Sequence, residues 1–189
     1  DGYGINLVPL ASFAMEMYAD DPCELFQPKL DKDCTDVNER SRALMSKMHK
    51  AISIIQFKLE GAMIDRHPEW KMEDRKLLHR ISTDRKSITI GEETFPLRDT
   101  LLPTVDPKDP YRLTADEAEL VSKLKRAFHM SDKLRRHMRL MLSNGDIYNI
   151  SNSHLMFHAS VPLNADGTLR EIEVLGQKVK GRELLDHVG

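Results

Sequence analysis

His154 and His158 stand four residues apart in His154-Leu155-Met156-Phe157-His158, the spacing that sets two imidazoles on one helix face around a shared metal ion. The segment is flanked by turn residues and rich in apolar side chains, so it reads as a strand. There the two rings share a face but lie about 13 Å apart at roughly 3.3 Å per residue, too far to chelate one ion. His154 drops out as a partner. His158, at the end of the strand and just before Ser160-Val161-Pro162, remains as a single candidate metal ligand, since strand ends opening into loops are where binuclear metal hydrolases hold their imidazoles. Neutral imidazole suits manganese or zinc.

Three other groups of residues could do chemistry. Gly145-Asp146-Ile147-Tyr148-Asn149 approaches the Gly-Asp-x-x-Asp-Arg-Gly metal motif of phosphoesterases. Asn149 replaces the second acid and Ile150 the arginine, so it reads as a helix stop followed by a strand. Lys133, Arg135, Arg136, His137 and Arg139 could grip a phosphate, because guanidinium forks match phosphate oxygens two at a time. The competing reading is the solvated face of an amphipathic helix whose other side is Leu134, Met138, Met141 and Leu142. Arg66-His67 and Arg182, the latter at a helix start where anions bind, carry the same two readings. Ser151 and Ser160 have no His and Asp arrangement that would make a nucleophile, and no glycine-rich phosphate loop is present.

The elements that must position these residues follow from periodicity. Leu10, Phe13, Ala14, Met17 and Tyr18 predict a helix over Leu7 to Tyr18, with Pro9 near its start. Ala19 to Thr35, with Asp20-Asp21-Pro22, Pro28 and Asp31-Lys32-Asp33, reads as a solvated loop. Asp36 and Glu39 resemble a capping box for the longest helix, whose expected inner face is Leu44, Met48, Ile52, Ile55, Leu59 and Met63, and which His67-Pro68 should end. Glu69 to Ile81 reads as a shorter helix with Leu77, Leu78 and Ile81 inward. Ile88 to Ile90 and Thr94 to Leu97 form a hairpin around Gly91-Glu92, with Pro96 on an edge.

Pro103, Pro107 and Pro110 then mark an extended connector. Thr114 and Glu117 make a capping box for a helix with Ala118, Val121, Leu124 and Phe128 on one face. Ser131 caps the next helix, which Asn144-Gly145 stops. Ile147 to Ile150 pairs with His154 to Ala159 across Ser151-Asn152-Ser153, and Ile172 to Val174 pairs with Lys178-Val179 across Leu175-Gly176-Gln177. Gly181 to Val188 begins a last helix that the chain end truncates.

The fold class is therefore α+β, predominantly helical with short antiparallel β-hairpins. Its 28 Lys and Arg against 30 Asp and Glu, interspersed along the 189 residues, argue against a nucleic-acid binder, which needs a net basic stripe. No stretch nears the roughly 18 apolar residues of a membrane helix. Cys23 and Cys34 are too few for a disulfide framework and have no zinc spacing, which fits a reducing cytoplasm. A chain that opens on Asp1 and runs at once into apolar periodicity reads as cut from something longer.

Several uninterrupted blocks carry a resemblance: Tyr3-Gly4-Ile5-Asn6-Leu7 followed by Pro9-Leu10; Ile55-Gln56-Phe57-Lys58-Leu59-Glu60; Lys133-Leu134 with Arg136-His137-Met138; and Gly181-Arg182-Glu183-Leu184-Leu185-Asp186. Together with the hairpin at Ile88 to Leu97 and the strand pair ending at His158, they make the chain similar along its whole length to the class III fructose-1,6-bisphosphatases of Firmicutes, a branch of the calcineurin-like metallophosphoesterases. The resemblance implies a cytoplasmic gluconeogenic hydrolase that converts fructose 1,6-bisphosphate to fructose 6-phosphate and phosphate with a manganese-type metal pair.

The family's Asp-x-His, Gly-Asp-x-x-Asp-Arg-Gly, Gly-Asn-His and Gly-His-Thr-Pro motifs are not in these residues. The resemblance therefore implies a partial metallophosphoesterase domain lacking the main metal-binding core, with residues 1–189 as the central segment of one larger catalytic domain. Its parts are a helical region 1–83, a hairpin and connector 84–113, helices 114–144, and strand pairs with a truncated helix 145–189. The family's internal histidine ligand, normally followed by Gly, aligns with His158, which Ala159 follows here. His154 aligns with a position that is not a ligand. The expected partner is the remainder of the catalytic domain, and the 189 residues alone are expected to be inactive and to hold no metal. A different class stays open: a non-catalytic helical binding or regulatory module derived from the enzyme.

Overall fold

A computed structural model describes residues 2–29, 37–158 and 160–189. Helices and two-stranded antiparallel sheets are the regular elements among them, as the α+β reading requires. The expected features at Asp31-Lys32-Asp33, Cys34, Asp36 and Ala159 lie outside the described residues. The chain divides into two units, Asp1–Ser131 and Asp132–Gly189. No helix of the described residues is long and apolar enough to cross a membrane.

In the first unit, α1 (Val8–Met17) carries Pro9 in its first turn, where a missing N–H costs nothing. It turns Leu10, Phe13 and Ala14 onto α2 (Glu39–Arg66) and α3 (Ala115–Met130), and Tyr18, Cys23, Ala51, Ile55, Leu120 and Leu124 complete this core. The N-cap of α2 is Asn38, whose Oδ1 accepts from Ser41 N at 2.8 Å. His67, before Pro68, closes the helix as expected.

The inner face of α2 is rotated from the expected one. Leu59 and Met63 are exposed, whereas Lys50, Ile54, Lys58, Gly61 and Ile64 are buried. Counting lysine as an outward residue causes the error, because both lysines meet carboxylates inside. Gly61 has a separate reason, since a Cβ there would overlap the ring of Tyr111.

Glu69 to Ile81 is not a helix. It is three single 3₁₀ turns, Pro68–Trp70, Glu73–Arg75 and Leu78–Arg80, with Lys71 left-handed at φ 53° between the first two. Charged residues fill positions 73 to 76, so no stripe exists to bury and nothing sustains an i→i−4 ladder. Leu77 is exposed, while Leu78 is buried and Ile81 packs on Ile54, Leu102 and Val105.

The hairpin β1 (Ser87–Ile90) and β2 (Glu93–Pro96) pairs Ile88 with Phe95 and Thr89 with Thr94 around Gly91-Glu92, Gly91 taking φ +62°. The capping box at the start of α3 is present: Glu117 N donates to Thr114 Oγ1 and Thr114 N to Glu117 Oε2. Its buried face is Glu117, Leu120 and Leu124; Ala118 and Phe128 are exposed, contrary to the apolar count.

The second unit holds α4 (Asp132–Asn144), the hairpin β3 (Tyr148–Ser151) with β4 (His154–Phe157), the hairpin β5 (Ile172–Val174) with β6 (Gln177–Val179), and α5 (Gly181–Val188). Both hairpins turn in two residues with positive φ, Asn152-Ser153 at 50° and 63°, and Leu175-Gly176 at 49° and 80°. Such turns match the strand twist, so Ser151 and Gln177 belong to strands and not to the turns expected around them. Val179, Leu184 and Leu185 are buried, while α4 buries no residue.

Candidate functional site

His158 follows the last residue of β4 directly. Its backbone N donates to Ile147 O at 3.1 Å, which extends the pairing one step past Tyr148↔Phe157. The ring is thereby carried on paired backbone and stands exposed. A hollow opens beside it between the end of α4 (Asn144, Gly145), Asp146, Asn149 and Phe157. His154 sits at the opposite end of β4, across from Ser151 next to the turn. The two imidazoles are held apart, in keeping with the distance argument from sequence.

Gly145 to Asn149 is a helix stop and a strand, as its residues suggest: Gly145 N bonds Met141 O, and Tyr148 opens β3. Asp146 Oδ1 accepts from Ile147 N at 2.8 Å. Among the described residues no group of three or more His, Cys, Asp or Glu is placed to hold a metal ion. A metal pair therefore does not fit these residues by themselves. What they offer is one exposed imidazole at the rim of a hollow that also holds an acid and an amide.

Of the other candidates, Arg182 is paired. Its Nε lies 3.6 Å from Asp186 Oδ2, and Tyr148 donates its hydroxyl to the same carboxylate. That bond to Asp186 holds the Tyr148 hydroxyl above its ordinary pKa. His67 bonds Glu69 Oε1 at 2.8 Å and stacks on Trp70, so it closes the end of α2. Arg135, Arg136 and Arg139 line a shallow hollow on α4 together with Asp132, which Arg135 bonds.

Two charged clusters escaped the sequence reading. Lys50 Nζ lies 2.5 Å from Asp21 Oδ2 and 2.7 Å from both carboxylate oxygens of Asp99, with the Tyr18 ring centroid at 5.3 Å. Lys58 Nζ donates to Glu117 Oε2 at 2.6 Å and to Thr104 O at 2.5 Å. Asp21, expected in a solvated loop, is buried, and Asp21 Oδ1 accepts from Cys23 N. Burial alone would raise the Asp21 pKa, but the bonds from Lys50 and Cys23 outweigh it and hold the carboxyl below its usual range. Burial, with the Asp21 charge nearby, pushes the Cys23 thiol up to about 11, and burial pushes the Tyr18 hydroxyl up to about 12. The signal was present in the sequence: Lys50, Ile54 and Lys58 recur every fourth residue, on one side of α2. These clusters tie α2 to its neighbours; both ammonium groups are fully enclosed.

The first unit also contains a half-open, mainly apolar cavity of about 270 Å³ between Phe26, Ile54, Phe57, Leu78 and Tyr111.

Comparison with known proteins agrees along the entire chain. The family model for Firmicute fructose-1,6-bisphosphatase matches residues 1–189. The protein named fructose-1,6-bisphosphatase class 3 from Phocaeicola vulgatus is 54% identical over 191 residues, covering 100% of this chain and 28% of the relative. Its namesake from Parabacteroides distasonis is 52% identical over 188 residues, covering 100% and 28%. That of Clostridium novyi is 52% identical over 187 residues, covering 98% and 28%. The chain thus spans a little over a quarter of the length of the curated relatives it matches. No solved structure matches it.

Proposed function

Since the chain belongs to the Firmicute fructose-1,6-bisphosphatase family, we propose that it is the central segment of a larger catalytic domain that hydrolyses fructose 1,6-bisphosphate to fructose 6-phosphate and phosphate, in the cytoplasm and in gluconeogenesis. The observation that carries this reading is the family match over all 189 residues. The domain is of the calcineurin-like metallophosphoesterase type, and its resident metals are a manganese-type divalent pair.

Within it, residues 1–83 and 114–144 supply helices, 84–113 a hairpin and connector, and 145–189 the hairpins that carry His158. His158 contributes one ligand, and the carboxylate and amide ligands come from the remainder of the enzyme. When bound, such a pair supplies charge stabilisation of the phosphoryl oxygens and an activated water. The part of this chain is to carry one imidazole on paired backbone, a reading that the bond from His158 N to Ile147 O supports, and to border the hollow in which the ester is bound.

The test is an assay of the protein at the full length of its relatives, with fructose 1,6-bisphosphate and manganese. Phosphate release that ceases on chelation and returns with divalent metal supports the reading. A purified, folded full-length protein with no phosphatase activity under those conditions would replace it with the non-catalytic module.

A further inference from the structure

Of the four cations of α4, the three arginines lie together with its one acid, while Lys133 falls outside their arc. At 100° per residue, Asp132, Arg135, Arg136, Arg139 and Ser143 fall within an arc of about 100°. Leu134 and Met141 occupy the opposite side, and Leu142 flanks the arc beside Arg135. Asp132, Arg135, Arg136 and Arg139 alone line a shallow hollow on this arc. The single carboxylate there is bonded by Arg135. Arg136 and Arg139 have no ion pair among the described residues.

Arginines three and four apart are neighbours on a helix, and like charges at that spacing destabilise it. Three guanidinium groups in one hollow, sharing one carboxylate, thus hold an uncompensated positive charge. A multi-oxygen dianion relieves it best, since each planar fork can take two of its oxygens. A nucleic-acid backbone fits less well, because the chain as a whole carries a net charge of −2 and the arc is short.

The arc is separate from the hollow beside His158: Arg139 precedes Asn144, which borders that hollow, by five residues, about 7.5 Å along the axis and about 140° round it. A phosphate held by the arginines is therefore not the one beside His158.

We propose that Arg136 and Arg139, with Arg135, form a phosphate-binding site that holds the phosphate of a sugar bisphosphate which is not cleaved. This rests on the proposed phosphatase reading for the identity of the ligand, but the anion site itself does not.

The experiment compares full-length wild type with R136Q/R139Q and R136K/R139K, using fructose 1,6-bisphosphate and p-nitrophenyl phosphate, an ester with no second phosphate. For the bisphosphate the Gln variant should raise KM roughly tenfold or more, as loss of charged hydrogen bonds implies, with kcat little changed. The Lys variant, which keeps charge but loses the forks, should fall between. Hydrolysis of p-nitrophenyl phosphate should stay at the wild-type rate. Unchanged KM for the bisphosphate, or equal losses on both esters, overturns the proposal.

If the wild type hydrolyses neither ester, the phosphatase reading has failed, and the site is judged on its own by calorimetric titration of the same proteins with inorganic phosphate. Binding present in wild type and lost in R136Q/R139Q supports it. No binding to wild type overturns it.

Discussion

Lys58 and Glu117 meet at 2.6 Å, their side chains 0% and 1% exposed, across the junction of the longest helix and the capping box of α3. One carboxylate oxygen does two jobs: Glu117 Oε2 accepts from Lys58 Nζ and from Thr114 N. The pair therefore fixes the start of one helix to the middle of another. Removing one partner leaves an unpaired charge inside the protein, which costs about 3–5 kcal/mol, whereas replacing both with apolar groups is often neutral. Lys58→Met should lower stability by that amount in urea unfolding. K58M combined with E117L should recover part of the loss, the remainder being the bond from Thr114 N that E117L gives up. If K58M and the double variant were equally destabilised, the cost would come from lost packing and not from the orphaned charge.

Stability should also fall toward both extremes of pH, from neighbouring groups. Asp21 has its folded pKa below its ordinary value of 3.8, so its contribution is present above that value and is lost as pH falls through the folded pKa. Cys23 runs the other way. Its pKa rises from 9.0 to about 11 in the fold, so its contribution is intact below pH 9 and disappears between the two values. Cys23→Ala should flatten the alkaline limb of a plot of unfolding free energy against pH in that window, and Asp21→Asn the acid limb. An alkaline limb unaltered in C23A would assign it to other groups.

Gly61 faces Tyr111 so closely that a methyl group there would overlap the ring. Tyr111 is itself held, its hydroxyl 2.7 Å from His79 Nδ1 and its ring under Lys76 Nζ at 5.1 Å. The ring cannot simply swing away. Gly61→Ala, which elsewhere in a helix would stabilise, should here cost about 1–3 kcal/mol as overpacking does, read from the melting temperature or the urea midpoint. Adding Tyr111→Leu should return part of it. A stabilised G61A would mean that the ring has room to move.

How far these features could be read in advance depended on what kind of signal carried them. Turns and caps are local, so the hairpin at Gly91-Glu92, the box at Thr114 and Glu117, and the stop at Gly145 follow from a few adjacent residues. Helix faces are not local. On α2 the inward side is chosen by acids that lie 29 and 49 residues away, Asp21 and Asp99, and an apolar count places Lys50 and Lys58 outside. At Glu69 to Ile81 a few apolar residues suggested a helix, but charges at 73 to 76 left nothing to pack. The separation of His158 from His154 was legible because a strand's rise of roughly 3.3 Å per residue sets them at opposite ends of β4. The arginine arc of α4 could be seen as a cluster in sequence, while the hollow and the pairing of Arg135 with Asp132 needed side chains.

The last prediction separates the two histidines of β4 in the full-length protein. His158 is carried past the strand end by its bond to Ile147 O and borders the hollow with Asp146 and Asn149, whereas His154 stands beside the turn, opposite Ser151. Both are exposed, so neither substitution should disturb packing, and stability should move by less than about 0.5 kcal/mol in either case. Under the proposed function His158→Ala removes a ligand. Loss of groups that only orient ligands already costs about 10–100-fold in metal affinity or activity, so H158A should lose about 100-fold or more and retain less metal on elemental analysis. H154A should keep wild-type activity and metal content. The 189 residues alone, supplied with manganese, should release no phosphate from fructose 1,6-bisphosphate, since one imidazole does not retain two ions. Equal and mild effects of H158A and H154A would take the metal role away from His158.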